Sequence, residues 1–208
     1  MPLGKKLEKQ IAAALSKMES PVELLLFTSG RYPKVEAEME AALRDISSLS
    51  RKLSLKKYGL DSNEAKKEDV RRGPAIVLRG KAKGRIRFFG FPSGYQFPVF
   101  IMDIVDVSGA KGGVKREIAK KAMETPKTRT LLEVFEIPSC SYSPIAVKAA
   151  HDIAIFNPNV TADMVDILLF PELVRKYKIR ETPTTVINGK AKIAGIMPLS
   201  KLLIALGK

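Results

Sequence analysis

The feature that most constrains this sequence is an internal repeat. The tetrapeptide Gly80–Lys83, GKAK, recurs as Gly189–Lys192, and Pro74 recurs as Pro183 at the same spacing before it. The hydrophobic pattern repeats as well, in the order helix, strand, helix, strand, helix, strand, strand, helix. A chain that carries one order of elements twice is expected to form two similar units.

The two units meet at a flexible polar segment. Residues 108–113, SGAKGG, are rich in glycine and lack the apolar spacing of a helix or a strand. We therefore predict one domain over residues 1–108, without cysteine, and a second over residues 109–208. At about 100 residues, each has the size of a small domain.

Each unit is predicted to be α/β. Two strands joined through a helix, followed by an antiparallel hairpin, favour a mixed sheet of four to five strands flanked by helices. The elements predicted for the first unit are helices at 3–18, 33–46, 63–70 and 97–105 and strands at 22–27, 53–58, 74–78 and 85–89. Those predicted for the second unit are helices at 114–123, 143–156, 171–177 and 199–206 and strands at 131–137, 162–168, 184–187 and 192–194.

The second unit holds the only cysteine of the chain. Cys140 lies between the apolar run Leu131–Ile137 and a helical pattern that starts near Ser143. The N-terminus of a helix favours negative charge, so a cysteine at this junction is favoured as the reactive thiolate. The alternative is an inert cysteine that packs like a small apolar side chain.

This layout resembles a known family. A strand, a cysteine turn, a long helix and a later proline before a strand are typical of the thioredoxin fold. The chain resembles the archaeal protein disulfide oxidoreductases, in which two thioredoxin-like (glutaredoxin-like) units are fused. It is also similar to the tandem thioredoxin-fold segment of the alkyl hydroperoxide reductase flavoprotein. The stretches that carry the resemblance are Phe88–Gly94, Asp103–Ser108 and Cys140–His151.

The chain departs from this family at the thiols, as a degenerate member would. The family carries Cys-x-x-Cys in one or both units, and the matching positions here are Pro33 and Glu36 in the first unit and Cys140 and Ser143 in the second. A serine hydroxyl cannot attack a disulfide as a second thiol does. It can hydrogen-bond the Cys140 thiolate and lower its pKa. We therefore expect a protein disulfide oxidoreductase-like exchange protein that is restricted to monothiol chemistry.

The resemblance also implies where substrates bind. Thr182 and Pro183 match the cis-proline segment that faces the active cysteine, Gly73-Pro74 is its counterpart in the first unit, and Tyr142 is predicted to contact the substrate. The implied partners are protein thiols or disulfides, with an external thiol reductant or a thioredoxin reductase-like donor. With one histidine and one cysteine, no metal site and no cofactor are expected.

Four further residues are candidates for a role near the thiol. His151 lies eleven residues beyond Cys140, about 16 Å along a helix, so we predict a structural role for it. Glu133, Glu136 and Asp166 would tune the thiol if one lay buried beneath it. We expect instead that each lies at the surface or at a sheet edge.

The formal charge of +14 bears on partners and not on the fold. The basic residues are densest over 51–87. This stretch has one aromatic residue, Tyr58, so its basic clusters lack the interleaved aromatic side chains typical of nucleic-acid binding, and nucleic acid is not favoured as a partner. The alternative function is a redox-inactive binding or scaffold module that uses the cis-proline groove or the basic surface.

No apolar run approaches the 20 or so residues of a membrane span, and residues 1–10 lack the apolar stretch of a signal peptide. We expect a cytoplasmic protein, and the few amides and absence of Trp suit a thermophile.

Overall fold

The computed structural model describes residues 4–207. Residue 3, the predicted start of the first helix, lies outside this range. The first half contains helices α1 (Lys5–Leu15), α2 (Pro33–Ser48), α3 (Asn63–Lys67) and α4 (Phe97–Gly109) and strands β1 (Val22–Thr28), β2 (Leu53–Gly59), β3 (Ala75–Arg79) and β4 (Arg85–Phe89). The second half contains helices α5 (Arg116–Glu124), α6 (Ser143–Phe156), α7 (Pro171–Tyr177) and α8 (Leu199–Leu206) and strands β5 (Thr130–Glu136), β6 (Val160–Asp166), β7 (Thr184–Ile187) and β8 (Ala191–Ala194).

Local sequence signals explain several of these boundaries. The helices α2, α6 and α7 each carry a proline in their first turn, where no backbone hydrogen bond is lost. Asn188 and Gly189 both have positive φ and form the tight turn between β7 and β8. The bounds predicted for α6, α7 and α8 are those observed. The strand predicted at 162–168 instead begins at Val160 and ends at Asp166.

All eight strands form one continuous sheet in the order β2-β1-β3-β4-β6-β5-β7-β8. Within each half, one parallel pair and two antiparallel pairs give a four-stranded mixed sheet, which confirms the predicted fold class. The two halves join edge to edge because β4 pairs with β6 in parallel, with Arg87 opposite Asp163. The sequence patterns did not predict this join. The domain boundary at residue 108 stays a prediction.

The two faces of the sheet are covered unequally. One face packs against α1, α2, α4, α5, α6 and α8, and their apolar side chains form the larger core. The other face is covered by α3, α7 and loops, with a smaller core around Phe27, Phe89 and Phe135. Part of this second face, between residues 66–71 and Asn188, is left open. Among residues 4–207, no helix combines the length and the apolar character that crossing a membrane requires.

Candidate functional site

The candidate site is the turn between β5 and α6. The backbone N–H of Cys140 donates to the carbonyl of Ile137 at 3.0 Å, which folds the chain back after the strand. Ser143 is the first residue of α6 and is fully buried. Cys140 is a free, partly exposed thiol three residues before the helix. The predicted strand–turn–helix junction thus places the thiol just before the N-terminus of α6.

The surroundings of Cys140 favour its thiolate. Burial by itself raises the pKa of the thiol, but hydrogen bonds from the Ser143 hydroxyl and from the backbone N–H groups of Tyr142 and Ser143 outweigh it, so the pKa lies below its ordinary value. The Ser143 hydroxyl is buried and makes no hydrogen bond to another group among residues 4–207, so it is free to donate to a Cys140 thiolate. A thiolate supplies the acceptor that this hydroxyl lacks.

The Thr182-Pro183 segment lies against the thiol. The Cys140 thiol donates to the carbonyl oxygen of Thr182 over 3.4 Å. The Thr182-Pro183 bond is cis, and so is Gly73-Pro74, as the resemblance implied. No sequence pattern indicated the third cis bond, Thr125-Pro126. Of the four other predicted site residues, Ser143 and the Thr182-Pro183 pair lie next to Cys140. The Tyr142 side chain points to solvent, with 62% of its surface exposed.

The first half supports the cysteine turn directly. The backbone N–H of Tyr95 donates to the carbonyl of Pro138 at 3.1 Å. Gly94 has φ +56°, and a Cβ there would lie 2.4 Å from the same carbonyl oxygen. A residue larger than glycine at position 94 would push the turn away.

The equivalent turn of the first half is closed by a carboxylate. Glu36, at the position of the family's second thiol, is buried and accepts hydrogen bonds from the Ser29 N–H and hydroxyl, both at 2.8 Å, and from the Gly30 N–H at 3.1 Å. These bonds occupy the donors of the turn. The first half therefore offers no nucleophile at this position.

Two carboxyl groups lie beneath the turn that carries Cys140. Glu136 is fully buried at the end of β5, and Asp166, its partner in register on β6, is 7% exposed. Burial, together with the charges of Asp166 and Cys140, raises the pKa of Glu136 to about 8. Burial likewise raises the pKa of Asp166, although the N–H of Leu168 donates to its carboxylate at 2.9 Å. Glu136 therefore carries a proton at neutral pH.

The expectation that Glu133, Glu136 and Asp166 lie at the surface or a sheet edge is wrong. All three are buried. β5, which carries Glu133 and Glu136, lies between β6 and β7 of its own half, and the join of β4 to β6 places β6, which carries Asp166, inside the sheet as well. A carboxylate inside an apolar strand run was the available sequence signal of this burial.

The buried Glu136 carboxyl makes stability depend on pH. Because its folded pKa lies above its ordinary value of 4.5, the folded protein holds a proton that the unfolded chain releases, and stability is lost as pH rises from about 4.5 to about 8. We expect Glu136→Gln, which cannot ionise, to raise the free energy of unfolding at pH 8.5 by about 3 to 5 kcal/mol. Near pH 4.5 the variant should match the wild type.

Urea unfolding at the two pH values measures this difference. Glu117→Gln, on the exposed side of α5, is the matched control and should shift neither curve. If Glu136→Gln were equally stable or less stable at pH 8.5, the assigned protonation of Glu136 would be wrong.

His151 has no contact with the thiol. Its Nδ1 lies 2.6 Å from Asp103 Oδ2, and both side chains are fully buried between α4 and α6. Lys148 lies beside them and forms ion pairs with Asp103 at 3.4 Å, Asp106 at 2.8 Å and Asp152. Burial disfavours the charge on Lys148, but these carboxylates outweigh it and raise its pKa. The cluster connects the two halves, in line with the structural role predicted for His151.

Comparisons with known proteins agree with this geometry. Residues 131–207 match the sequence family described as the thioredoxin domain. The chain is similar to the AhpF component of alkyl hydroperoxide reductase from Pseudomonas aeruginosa, with 27% identity over 97% of the chain and 36% of that protein. Its structure is similar to that of the C503A mutant of AhpF from Enterococcus faecalis, with 28% identity, a TM-score of 0.89 and all of both chains covered.

A third likeness concerns the fold alone. A protein disulfide oxidoreductase from Aeropyrum pernix superposes with a TM-score of 0.86 over 99% of this chain and 93% of that one, at 22% identity. The architecture is therefore a thioredoxin-like α/β fold with an eight-stranded sheet flanked by helices. The chain spans 36% of the length of the Pseudomonas aeruginosa relative and 38% of a similar NADH dehydrogenase from Ferdinandcohnia aciditolerans.

Proposed function

We propose that this protein is a thiol–disulfide exchange protein, a degenerate relative of the tandem protein disulfide oxidoreductases, whose chemistry is restricted to the single thiol of Cys140. The observation that carries the proposal is the lowered pKa of a partly exposed thiol that lies 3.4 Å from the Thr182 carbonyl. No second thiol exists in the chain to complete a dithiol cycle.

The proposed reaction begins with attack of the Cys140 thiolate on one sulfur of a partner's disulfide. A mixed disulfide forms, and the other partner sulfur leaves as a thiolate that takes a proton from solvent. A first external thiolate then attacks the Cys140 sulfur of this mixed disulfide, which releases the partner as its second thiolate and leaves the external thiol bonded to Cys140. A second external thiolate attacks the external sulfur of this new mixed disulfide, and Cys140 leaves as its thiolate. The two external thiols supply the two electrons that the partner's disulfide gains, and they end as a disulfide of their own.

The residues around the thiol have distinct roles in this scheme. The Ser143 hydroxyl and the first N–H groups of α6 stabilise the thiolate both as the attacking and as the leaving group. The Thr182-Pro183 segment offers the backbone edge along which an extended partner segment docks. Tyr142, exposed beside the thiol, contacts that segment from the opposite side.

The test of this proposal is the reactivity of the thiol as a function of pH. We expect alkylation of Cys140 by iodoacetamide to reach half its maximal rate clearly below pH 8.5, roughly the ordinary value for a cysteine, because the thiolate is stabilised. Ser143→Ala should move this midpoint upward, and Cys140→Ser should remove the reaction. A midpoint at or above about pH 8.5 in the wild type would refute the proposal.

A second candidate is a redox-inactive binding or scaffold module. The closed turn around Glu36 favours it for the first half, which has the fold but no nucleophile. Such a module would bind partners along the Thr182-Pro183 groove or the basic surface without covalent chemistry. Pull-down with Cys140→Ser separates the two candidates, since a binding module keeps every partner and a monothiol exchanger loses those held as mixed disulfides.

A further inference from the structure

The open part of the second sheet face contains a cleft of about 750 Å³. Its floor is formed by neighbouring strands, with Arg85 of β4 opposite Thr161 of β6, which lies opposite Leu131 of β5. The segment 66–71, at the end of α3 and beyond it, forms one wall, and Asn188 lies at the other end. We refer to this feature as the basic cleft.

The basic cleft has a large excess of positive charge. Six cationic side chains line it against a single carboxylate, Asp69; the six are Lys66, Lys67, Arg71, Arg85, Arg87 and Arg129. Arg87 is neutralised by Asp163, Arg71 pairs with Asp69, and Arg85 lies 3.7 Å from Glu68. Lys66, Lys67 and Arg129 form no ion pair with any side chain between residues 4 and 207. Three cations therefore face the cleft without a counter-charge from the described chain.

A buried side chain holds the wall of the cleft in place. Arg87, 4% exposed, binds Asp163 with its Nε and Nη2 at 2.7 and 2.8 Å. Its Nη1 donates to the carbonyls of Glu68 and Asp69 at 3.2 and 2.7 Å. These bonds fix the segment that carries Lys66, Lys67 and Arg71. Contacts with the protein interior thus hold the backbone of this segment in place. Less conformational entropy is therefore lost when its cations bind a ligand.

We propose that the basic cleft binds an anionic ligand that carries two or more phosphate groups. Guanidinium groups pair bidentately with phosphate oxygens, and Arg71, Arg85 and Arg129 line the cleft beside two lysines. The volume lies in the range of small-molecule sites. No aromatic side chain lines the cleft in the described part of the chain, so it lacks the stacking platform that single-stranded nucleic acids use.

The basic cleft is separate from the turn that carries Cys140. It lies at the Thr130 end of β5, whereas Cys140 follows the Glu136 end, and the length of the strand places the two about 20 Å apart. Ligand binding here therefore requires neither a thiolate at Cys140 nor a partner at Thr182-Pro183. The inference goes beyond the proposed exchange chemistry, and either can fail without the other.

Calorimetric titration with inorganic tripolyphosphate tests the proposal. We expect saturable binding of one equivalent to the wild type and to Cys140→Ser alike, and binding that weakens as salt is raised. Arg129→Gln and Lys67→Gln, which remove exposed side chains and no ion pair, should each weaken it about tenfold or more. Lys9→Gln on exposed α1 makes the same change in charge outside the cleft and should leave the affinity unchanged.

Three results would overturn the proposal. The first is the absence of saturable binding of tripolyphosphate to the wild type at low salt. The second is equal weakening by Lys9→Gln and by the two cleft variants, which would indicate diffuse surface charge. The third is tighter binding of tetraglutamate or of an RNA homopolymer than of tripolyphosphate, since the cleft would then serve a different class of ligand.

Discussion

Replacing Ser143 by cysteine should turn a protein that needs an external thiol to resolve the mixed disulfide into one that resolves it with its own second thiol. Ser143 is buried at the start of α6, and its hydroxyl stabilises the Cys140 thiolate. A thiol in its place can attack the Cys140 sulfur and release the partner, which the hydroxyl cannot do. With dithiothreitol as the electron source, we expect insulin reduction to accelerate by about 100-fold, corresponding to roughly 2.7 kcal/mol in the barrier.

Two variants control this experiment. Ser143→Ala removes the hydroxyl without adding a thiol and should be no faster than the wild type. Ser143→Cys combined with Cys140→Ser leaves only the buried thiol and should be inactive. Sustained turnover by the wild type at the rate of Ser143→Cys would show that release does not need a second thiol, contrary to the monothiol mechanism.

Breaking the buried ion pair between Arg87 and Asp163 should cost much of the stability of the protein. The two side chains are 4% and 0% exposed and join β4 to β6 across the middle of the sheet. Burial opposes the charge of Arg87, and Asp163 outweighs this and raises its pKa. Asp163→Ala leaves that charge buried without its main partner, and we expect the free energy of unfolding to fall by about 3 to 5 kcal/mol.

Urea unfolding at neutral pH measures the loss. The double variant Arg87→Met with Asp163→Leu removes both charges and should recover most of it, because no buried ion is left unpaired. Arg44→Ala breaks the exposed pair between Arg44 and Glu40 and should change stability by about 0.5 kcal/mol or less. If Asp163→Ala cost no more than Arg44→Ala, the pair would not hold the two halves together.

Much of the fold was predictable because its signals are local. Apolar spacing marked the helices and strands, proline marked the first turns of helices, and Asn188-Gly189 marked a hairpin. The internal repeat showed that one order of elements occurs twice. The cysteine turn and the Thr182-Pro183 segment were found from their spacing in the resembled family. In the structure, the Cys140 Sγ lies 3.4 Å from the carbonyl oxygen of Thr182.

The remaining features depend on which edges of the two sheets meet. The hydrophobic pattern of β4 and β6 does not specify either strand as the partner of the other, so it could not predict the join. With the join come the interior position of β6, which carries Asp166, and the pairing of Arg87 with Asp163. The basic cleft is also a product of the join, because its floor combines strands of both halves.

The join of β4 to β6 has a further consequence for solubility. In a sheet built from one half alone, the backbone N–H and C=O groups along β4 or β6 would be open to strand addition by other chains. Pairing the two strands satisfies both rows at once and leaves β2 and β8 as the outer strands of the described sheet. β2 carries Lys56 and Lys57, and β8 is only four residues long and carries Lys192. The lysines of β2 and the short length of β8 thus discourage aggregation at the two outer edges. The inner edges are protected because β4 of one half covers β6 of the other.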